Sequence, residues 1–486
     1  MEKYGLKKLT AMAMAFTATL AVPNTLSVLT ASAYNANDTV FPYTMFASSD
    51  DEGAITINSK HFCINGSMAS NGTISTSQRA NINGAKTENA DIDMPFISSS
   101  LDESYFSNAD TIDDYSISDN NVNINTSLDV AGDASINGNI NMHSSIKADE
   151  DINISGNVCN INNSVIYSEF GDIVIDSNNV NLNGLIYAPL GNVVITANNV
   201  NLNNTVIIAD TITLNANNVN ANYGRSYAKV IGTDSETKSS YIKKYNSYLM
   251  DKEADNILNI ISKYYTVTPV DAGEFSNIGI SAPLAPGYVV SMDFEVQQYD
   301  VEGYGNLSIM KTDGIQQMST IVLTPYYQDL PLISTDYMFN GENRISYVEF
   351  YGLGVNGDEN MPVFDSLREL PDKYQEFADK APSSGWFDEV RTMGLFKASD
   401  YKADEAMENM LYESFEITLD ASTSTPQLDA EQRVVKHDMI QNYVDNLISN
   451  PGISTAIFNM CLGQETTSRF FNDVFFGTNK YIPENK

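Results

Sequence analysis

The residues best suited to chemistry are oxygen donors in residues 340–349 (NGENRISYVE). Asn340, Glu342 and Glu349 are spaced like the second half of an EF-hand calcium loop, which a glutamate closes. Met338 would hold the first ligand position, where a thioether is a poor partner for Ca²⁺. The segment therefore predicts a weak calcium site and no other cofactor, with a hairpin turn followed by a strand as the alternative.

A pair of carboxylates offers a second kind of chemistry, sugar hydrolysis. Hydrolysis requires paired carboxylates on one face, which Asp172 and Asp176 could supply, but their equivalents in the next repeat, Asn192 and Thr196, are not acidic. A pectin-lyase reaction instead needs a basic side chain to take a proton, and Lys147 is the only lysine or arginine between Lys86 and Arg225. The residues therefore predict a protein with no catalytic or cofactor-binding residues, and polysaccharide cleavage of the pectinase type is the alternative.

Binding of a polysaccharide without cleavage is a further possibility. Tyr167 and Tyr187 occupy equivalent positions in successive repeats. Aromatic rings that face outward at such positions would stack on sugar rings. We therefore expect glycan binding here only if both side chains point away from the interior of the fold.

The elements that position these residues are sequence repeats. Asn-Asn-Val triplets begin at Asn178, Asn198 and Asn217, which gives periods of 20 and then 19 residues. Within a repeat, apolar residues such as Ile173 and Ile175 lie two apart, so they point to one side of an extended segment. The pattern predicts a stacked β-solenoid with one repeat per coil.

Asparagines recur at equivalent positions of the repeats. In a stacked solenoid their side-chain amides would hydrogen-bond from coil to coil and stabilise the stack. We interpret two columns as structural ladders rather than as ligand sites: Asn181, Asn201 and Asn220, and Asn183, Asn203 and Asn222.

The N-terminus and the charge indicate an exported protein. Residues 1–33 have lysines, an apolar stretch and Ala31-Ser32-Ala33, as in a secretory signal peptide, and no later segment is long and apolar enough to span a membrane. The formal net charge of −35 argues against nucleic acid as a partner. The three cysteines have no metal-ligand spacing. We expect secretion, or a position at the cell surface.

The predicted fold class is mainly β: a right-handed parallel β-helix, then a small β-sandwich-like domain and a helical C-terminal region. The change of pattern along the chain predicts the boundaries. The expected parts are a β-helix at 34–224 with an irregular insertion at 85–120, a helical cap or linker at 225–265, a β domain at 266–364, and a mainly helical region at 365–486.

Residues 178–195 carry Asn-Asn-Val-Asn-Leu-Asn-Gly, Leu-Ile-Tyr-Ala-Pro and Gly-Asn-Val-Val-Ile. This pattern resembles the β-helical segments of exported surface proteins from Gram-positive bacteria. It is also similar to the solenoids of bactofilin-type and pilus-associated proteins. The resemblance covers roughly residues 121–224, and it implies a parallel β-helix in a structural, bacterial surface protein.

Together these observations predict an exported, non-catalytic scaffold or adhesion protein. The solenoid would act as a rigid stalk, and the C-terminal regions would attach to a partner such as a cell-wall polysaccharide or a surface protein. A carbohydrate-binding or polysaccharide-cleaving β-helix is the alternative.

Overall fold

The computed structural model describes residues 40–77, 79–97, 101–231, 237–285, 288–314, 316–382 and 384–484. The predicted signal segment lies outside the described residues. The chain forms two compact units, which meet in sequence between Tyr241 and Ile242. Among the described residues, no helix is long and apolar enough to cross a membrane.

The first unit is a parallel β-solenoid of about seven turns, and it confirms the fold predicted from the repeats. Its interior is built from the alternating apolar residues, and Ile173, Ile175 and Val180 have no accessible surface. The strands are β1 Tyr43–Ala47, β2 Ile55–Asn65, β3 Ser67–Ser70, β4 Ile74–Thr76, β5 Ala80–Asn83, β6 Lys86–Thr87, β7 Asp110–Ile112, β8 Tyr115–Ile124, β9 Leu128–Val130, β10 Ala134–Met142, β11 Ile146–Ala148, β12 Ile152–Ser168 and β13 Ile173–Tyr223.

The coils do not stack in sequence order. The N-terminal strand β1 pairs in parallel with β13, with Met45 opposite Ile207, and β2 pairs with a later part of β13, with Ile55 opposite Ile212. Residues 212–223 therefore form the first two sides of a coil, and β1 forms the third side of the same coil. The coils built from β2 to β6 then continue the stack beyond the coil that contains the end of β13.

The predicted insertion is shorter than 85–120, because β6, β7 and most of β8 belong to coils. The irregular residues 88–97 and 101–109, called the strap here, cover one side of the solenoid. Ile97, Leu101 and Phe106 of the strap are buried against outward-facing solenoid residues such as Leu185. A π-helix at Asp102–Phe106 lies within the strap, and α1 Arg225–Ile231 packs into the same cluster.

The second unit contains one antiparallel sheet of nine strands, in the order β14-β16-β17-β18-β19-β20-β22-β21, with β15 beside β16. It is a single sheet and not the predicted two-sheet sandwich. Met393–Asp400 lies in the region predicted to be mainly helical, but it is a strand that pairs with β20. The strands are β14 Val267–Val270, β15 Asn277–Ala285, β16 Tyr288–Val301, β17 Gly305–Gly314, β18 Gln317–Pro325, β19 Leu332–Asn340, β20 Asn343–Tyr351, β21 Ala378–Asp379 and β22 Met393–Asp400.

Helices cover both faces of this sheet, and the contacts on each face form a separate apolar core. A capping box begins α6, in which Asp429 accepts from the Gln432 amide at 2.9 Å and the Gln432 side chain accepts from the Asp429 amide. The helices after α1 are α2 Lys238–Ser262, α3 Val363–Leu367, α4 Leu370–Lys373, α5 Asp404–Ser422, α6 Ala430–Ser449, α7 Ile453–Leu462 and α8 Gln464–Arg469.

The helix α2 differs from the predicted lid on the last coil. Its apolar residues, among them Leu249, Ala254, Ile257 and Ile261, lie in one core of the second unit. The coil that a lid would have covered is instead continued by β1 and β2.

Candidate functional site

The first predicted asparagine column is a continuous hydrogen-bonded ladder. Asn181 donates to Asn160 and Asn201 donates to Asn181, both at 3.0 Å, and Asn220 donates to Asn201 at 3.4 Å. Asn160 extends the ladder by donating to Asn141 at 3.1 Å. Each of these bonds joins one coil to the next, so these amides stabilise the stack.

The second predicted column is interrupted at one coil. Asn222 donates to Asn203 at 3.0 Å, but Asn183 accepts from Asn204, the residue after Asn203. Asn204 has φ +50°, a left-handed conformation that asparagine tolerates better than most residues, so this turn presents the next amide to the column. Beyond Asn222 the ladder continues to Asn65 at 2.8 Å.

The two tyrosines proposed to bind sugar are inaccessible. Tyr167 and Tyr187 do point outward from their coils, with ring centroids 5.2 Å apart, but the strap covers both and leaves neither any accessible surface. The Tyr187 hydroxyl donates to the Pro95 carbonyl at 2.8 Å and accepts from the Ile97 amide at 3.2 Å. Stacking of a sugar on these rings is therefore contradicted.

The buried Lys147 helps to hold the strap. Its ammonium lies 3.0 Å from Glu169, 3.2 Å from Asp102 of the strap and 3.8 Å from Asp129. Burial alone would lower the pKa of Lys147, but these three carboxylates raise it above its ordinary value. Lys147 is a charged structural contact and is poorly suited to take a proton.

Aspartates form a further ladder at one corner of the solenoid. Asp133 accepts from the Asp151 amide at 3.0 Å, Asp151 from the Asp172 amide at 2.7 Å, and Asp172 from the Asn192 amide at 2.6 Å. Burial, with the charges of Asp172 and Asp133, raises the pKa of Asp151. Asp172 thus serves this corner ladder, while Asp176 is exposed on β13.

The predicted calcium ligands do not come together. Asn340 and Glu342 lie at the turn between β19 and β20, whereas Glu349 lies near the far end of β20. A strand rises about 3.3 Å per residue, so Glu349 is roughly 20 Å along the strand from the turn. Among the described residues, no group of three or more His, Cys, Asp or Glu side chains is placed to hold a metal. The hairpin alternative is the one observed.

A different set of polar groups meets on one face of the second unit's sheet: Thr320, Asp336, Tyr347, Glu349 and Arg391, called the carboxyl cluster here. Asp336 on β19 lies directly opposite Tyr347 on β20, and Glu349 lies two residues further along the same face. The Thr320 hydroxyl donates to Asp336 at 2.6 Å. Asp336, Tyr347 and Glu349 are partly exposed, so a ligand could reach this face.

Arg391 connects the carboxyl cluster to neighbouring groups. Its guanidinium donates to Glu349 at 2.7 Å and to Asp388, and it lies 4.8 Å from the Phe396 ring centroid. The Tyr347 ring meets Phe396 edge to face at 5.6 Å. The cluster therefore combines charge, hydrogen-bonding groups and aromatic surface.

The carboxyls of the cluster hold protons more readily than exposed ones. Burial raises the pKa of Asp336, against the opposing hydrogen bond from Thr320. Burial also raises the pKa of Glu349, although the adjacent Arg391 opposes the shift. A carboxyl group of this kind donates a hydrogen bond when protonated and accepts when ionised.

A cavity of about 410 Å³ lies elsewhere in the second unit, between α2 and strands β15 to β17. Its Lys311 ammonium lies 2.5 Å from Asp251 and 3.3 Å from Glu295. The cavity shares no residue with the carboxyl cluster, and the one aromatic residue that lines it, Phe294, is buried, whereas Tyr347 and the adjacent Phe396 are partly exposed. We therefore take the carboxyl cluster as the candidate binding site.

The sequence alone does not predict this cluster, because its members come from three strands and a loop. One signal was available. A turn at Asn340 to Asn343 fixes the register of the hairpin, and that register places Asp336 opposite Tyr347. The carboxyl of Glu349, which the sequence suggested as a calcium ligand, is paired with Arg391 instead.

No family model matches the chain, and no curated protein matches it. Among solved structures, it is similar to tomato phytochromobilin synthase in complex with biliverdin, at 10% identity and a TM-score of 0.40, over 48% of this chain and 84% of that one. It is also similar to an ice-binding protein from the Antarctic ascomycete Antarctomyces psychrotrophicus, at 14% identity and a TM-score of 0.20, over 38% of this chain and 97% of that one. At these scores, neither likeness identifies a family or an activity.

Proposed function

We propose that the protein is an exported, non-catalytic scaffold or adhesion protein that acts in secreted form or at the cell surface. The solenoid provides a rigid body, and the carboxyl cluster of the second unit provides the contact with a partner. The partner that suits this chemistry best is a hydroxyl-rich ligand such as a cell-wall polysaccharide.

The asparagine ladders support a structural role for the solenoid. The amides of Asn181, Asn201 and Asn220 hydrogen-bond to equivalent residues of adjacent coils. Side chains bonded in this way hold the coils in register, and each amide within the ladder uses one N–H and one oxygen lone pair for this purpose.

The carboxyl cluster is the observation that carries the binding proposal. Sugar hydroxyls both donate and accept hydrogen bonds. On this face, Asp336 and Glu349 accept hydrogen bonds when ionised and can donate when protonated, and the neighbouring Arg391 donates. The partly exposed rings of Tyr347 and Phe396 would pack against the apolar side of a sugar. Partial exposure of the face leaves room for such contacts.

A binding array tests the proposal. The chain from residue 34 onward is applied to immobilised cell-wall polysaccharides and surface proteins, beside the double variant Asp336→Asn/Glu349→Gln. The control is Glu342→Gln, which removes an exposed carboxylate at the hairpin turn. We expect a polysaccharide ligand that the double variant loses and the control retains, with both variants melting within a few degrees of the parent.

Two outcomes would overturn the proposal. Binding that the double variant retains in full would move the contact away from the carboxyl cluster. Release of reducing or unsaturated sugar ends from a bound polysaccharide would favour the cleaving alternative.

A further inference from the structure

The two terminal coils of the solenoid have strands paired on one side only. At one end, β4 and β5 pair with β2, and β6 pairs with β3. At the other end, β7 pairs with β9 and β8 pairs with β10. Among the described strands, these five have no second partner. Unpaired edges of this kind are templates for pairing with another chain.

The apolar interior is also less well covered at the ends. Most core residues of the middle coils are buried, with Ala197 and Ala216 partly exposed, whereas five apolar residues of the end coils remain partly exposed. They are Ala80 and Ile82 at one end, and Ile112, Tyr115 and Ile117 at the other. Covering both ends would remove this apolar surface from water, which is favourable.

The ends carry opposite charge. The last coil at one end, residues 74–88, contains Arg79 and Lys86 against one carboxylate, Glu88, and we call this end the basic end; Lys60 and the acidic residues 50–52 lie one coil further in. Residues 110–130 contain no lysine or arginine, and we call their end the acidic end; its aspartates are Asp110, Asp113, Asp114, Asp119 and Asp129. A net positive segment is unusual in a chain of net charge −35. The two ends therefore attract each other and repel their own kind.

The side chains at the ends match as well. All pairing in the solenoid is parallel, so a second copy placed along the same axis would continue each ladder without reversal. The first asparagine column ends at Asn123, opposite Asn141, and at Asn81, opposite Cys63. In such a stack Asn81 of one copy would face Asn123 of the next, and the amide ladder would continue across the junction.

The first unit does not end in sequence at either terminal coil. Its last residue, Tyr241, stacks on Phe96 at 4.5 Å and donates to the Glu169 carbonyl. Glu169 follows β12, which has coils on both sides. The chain therefore leaves the first unit beside a middle coil.

We infer that copies of this protein associate head to tail, with the basic end of one solenoid against the acidic end of the next. The two surfaces are different, so the contact does not close on itself in a pair and continues as a linear assembly. The junction adds strand pairing on three sides, apolar contact and charge attraction. The assembly is independent of the carboxyl cluster and goes beyond the proposed function.

Light scattering and sedimentation velocity on the chain from residue 34 onward test this inference. We expect the average mass to rise with protein concentration at low salt, where the Debye length is about 30 Å, and to rise less at 1 M salt, where it is about 3 Å. A monomer mass at every concentration and at both salt levels would overturn the inference.

Charge reversal identifies the surfaces. Arg79→Glu/Lys86→Glu at the basic end and Asp110→Lys/Asp113→Lys at the acidic end change exposed side chains only, and each double variant alone should stay monomeric. Mixed together, the two variants should assemble again, since each reversed end then meets its complement. The control Asp176→Lys, on an exposed position of a middle coil, should assemble like the parent. Assembly unaffected by either reversal would place the contact elsewhere.

Discussion

Asn65 donates a 2.8 Å hydrogen bond to the side-chain oxygen of Asn222, although 157 residues separate them in the chain. The bond lies where β2 runs parallel to the last part of β13. The strand β1 completes the same coil, with Ala47 opposite Ala209. The solenoid is therefore held together by contacts between its earliest and latest strands, and we expect its coils to unfold in one transition.

A buried residue of β1 should contribute as much to the free energy of unfolding as a buried residue of the repeats. Met45 and Ile175 have no accessible surface and belong to one core. Met45→Ala and Ile175→Ala should each lower the free energy of unfolding by about 2–5 kcal/mol, measured by urea denaturation. The exposed Asn153→Ala should change it by no more than about 0.5 kcal/mol. Loss of β1 in a separate early transition would contradict the role proposed for this strand.

The aspartate ladder predicts a stabilising substitution. Burial and the charges of Asp172 and Asp133 raise the pKa of Asp151, so the folded state disfavours its ionised form. Asp151→Asn keeps an oxygen to accept from the Asp172 amide and removes the repulsion. We expect a gain of about 0.2–1 kcal/mol at pH 7, the size of a cross-strand charge contact.

The pH dependence of this stability gain distinguishes relief of the local repulsion from a general effect of a lower net charge. The cost of the Asp151 charge is relieved as the pH falls through its raised pKa, so the advantage of Asp151→Asn should shrink in acid. The exposed Asp176→Asn, on the neighbouring coil, is the control and should change the melting temperature little. An equal gain from both variants would show that net charge, not the ladder, is responsible.

The solenoid could be predicted because its signal is local. Ile173 and Ile175 point inward by strand alternation, and each coil repeats the pattern, so periodicity alone identified the fold class. The position of β1 and β2 could not be found in this way. Their pairing with β13 depends on strands far apart in sequence, and the repeat pattern does not specify which coil an additional strand joins.

The second unit was harder to predict for the same reason. The pattern predicts a mainly helical region at 365–486, but pairing with β20 makes Met393–Asp400 a strand, since tertiary contacts override a short local pattern. The equivalent positions of Tyr167 and Tyr187 in the repeats predict glycan binding only if both side chains point outward, and in the structure they do point outward. Their burial depends on the strap, whose path over the solenoid has no periodic signal.

The buried Glu253 predicts a pH-dependent stability. It has no accessible surface, its two carboxyl oxygens have no hydrogen-bond partner within normal geometry, and burial raises its pKa from 4.5 to about 8. The folded state therefore favours the protonated form. The stabilisation is fully present below pH 4.5 and is lost as the pH rises toward 8.

Glu253→Gln should remove this dependence. The variant cannot ionise, so its stability relative to the parent should rise between pH 5 and 8, by up to about 1.4 kcal/mol per pH unit. Urea denaturation at several pH values measures the difference. Asp255→Asn, on the exposed side of the same helix, should give a constant difference. A flat profile for Glu253→Gln as well would mean that Glu253 is ionised in the folded state.

The ion pair between Arg344 and Asp404 should show strong coupling. Both side chains are almost fully buried, and two hydrogen bonds of 2.7 and 2.9 Å join the guanidinium to the carboxylate. Arg344 also donates to Asn246 at 2.9 Å. Arg344→Met leaves a buried carboxyl without its cation, and burial already raises the pKa of Asp404 against the opposing effect of Arg344. We expect a loss of about 3–5 kcal/mol.

A double-mutant cycle separates the interaction energy of the ion pair from the free energy lost when one buried charge is left unpaired. Arg344→Met/Asp404→Leu should recover much of the stability that Arg344→Met alone loses, because no buried charge is then left unpaired. The exposed pair of Lys263 and Glu416 gives the control, since their side chains are 61% and 46% exposed and their interaction should contribute only about 0–1 kcal/mol. The coupling energy of the buried pair could be as small as that of the exposed pair only if water reached Asp404 in the variant. That result would contradict the closed core between α5 and the sheet.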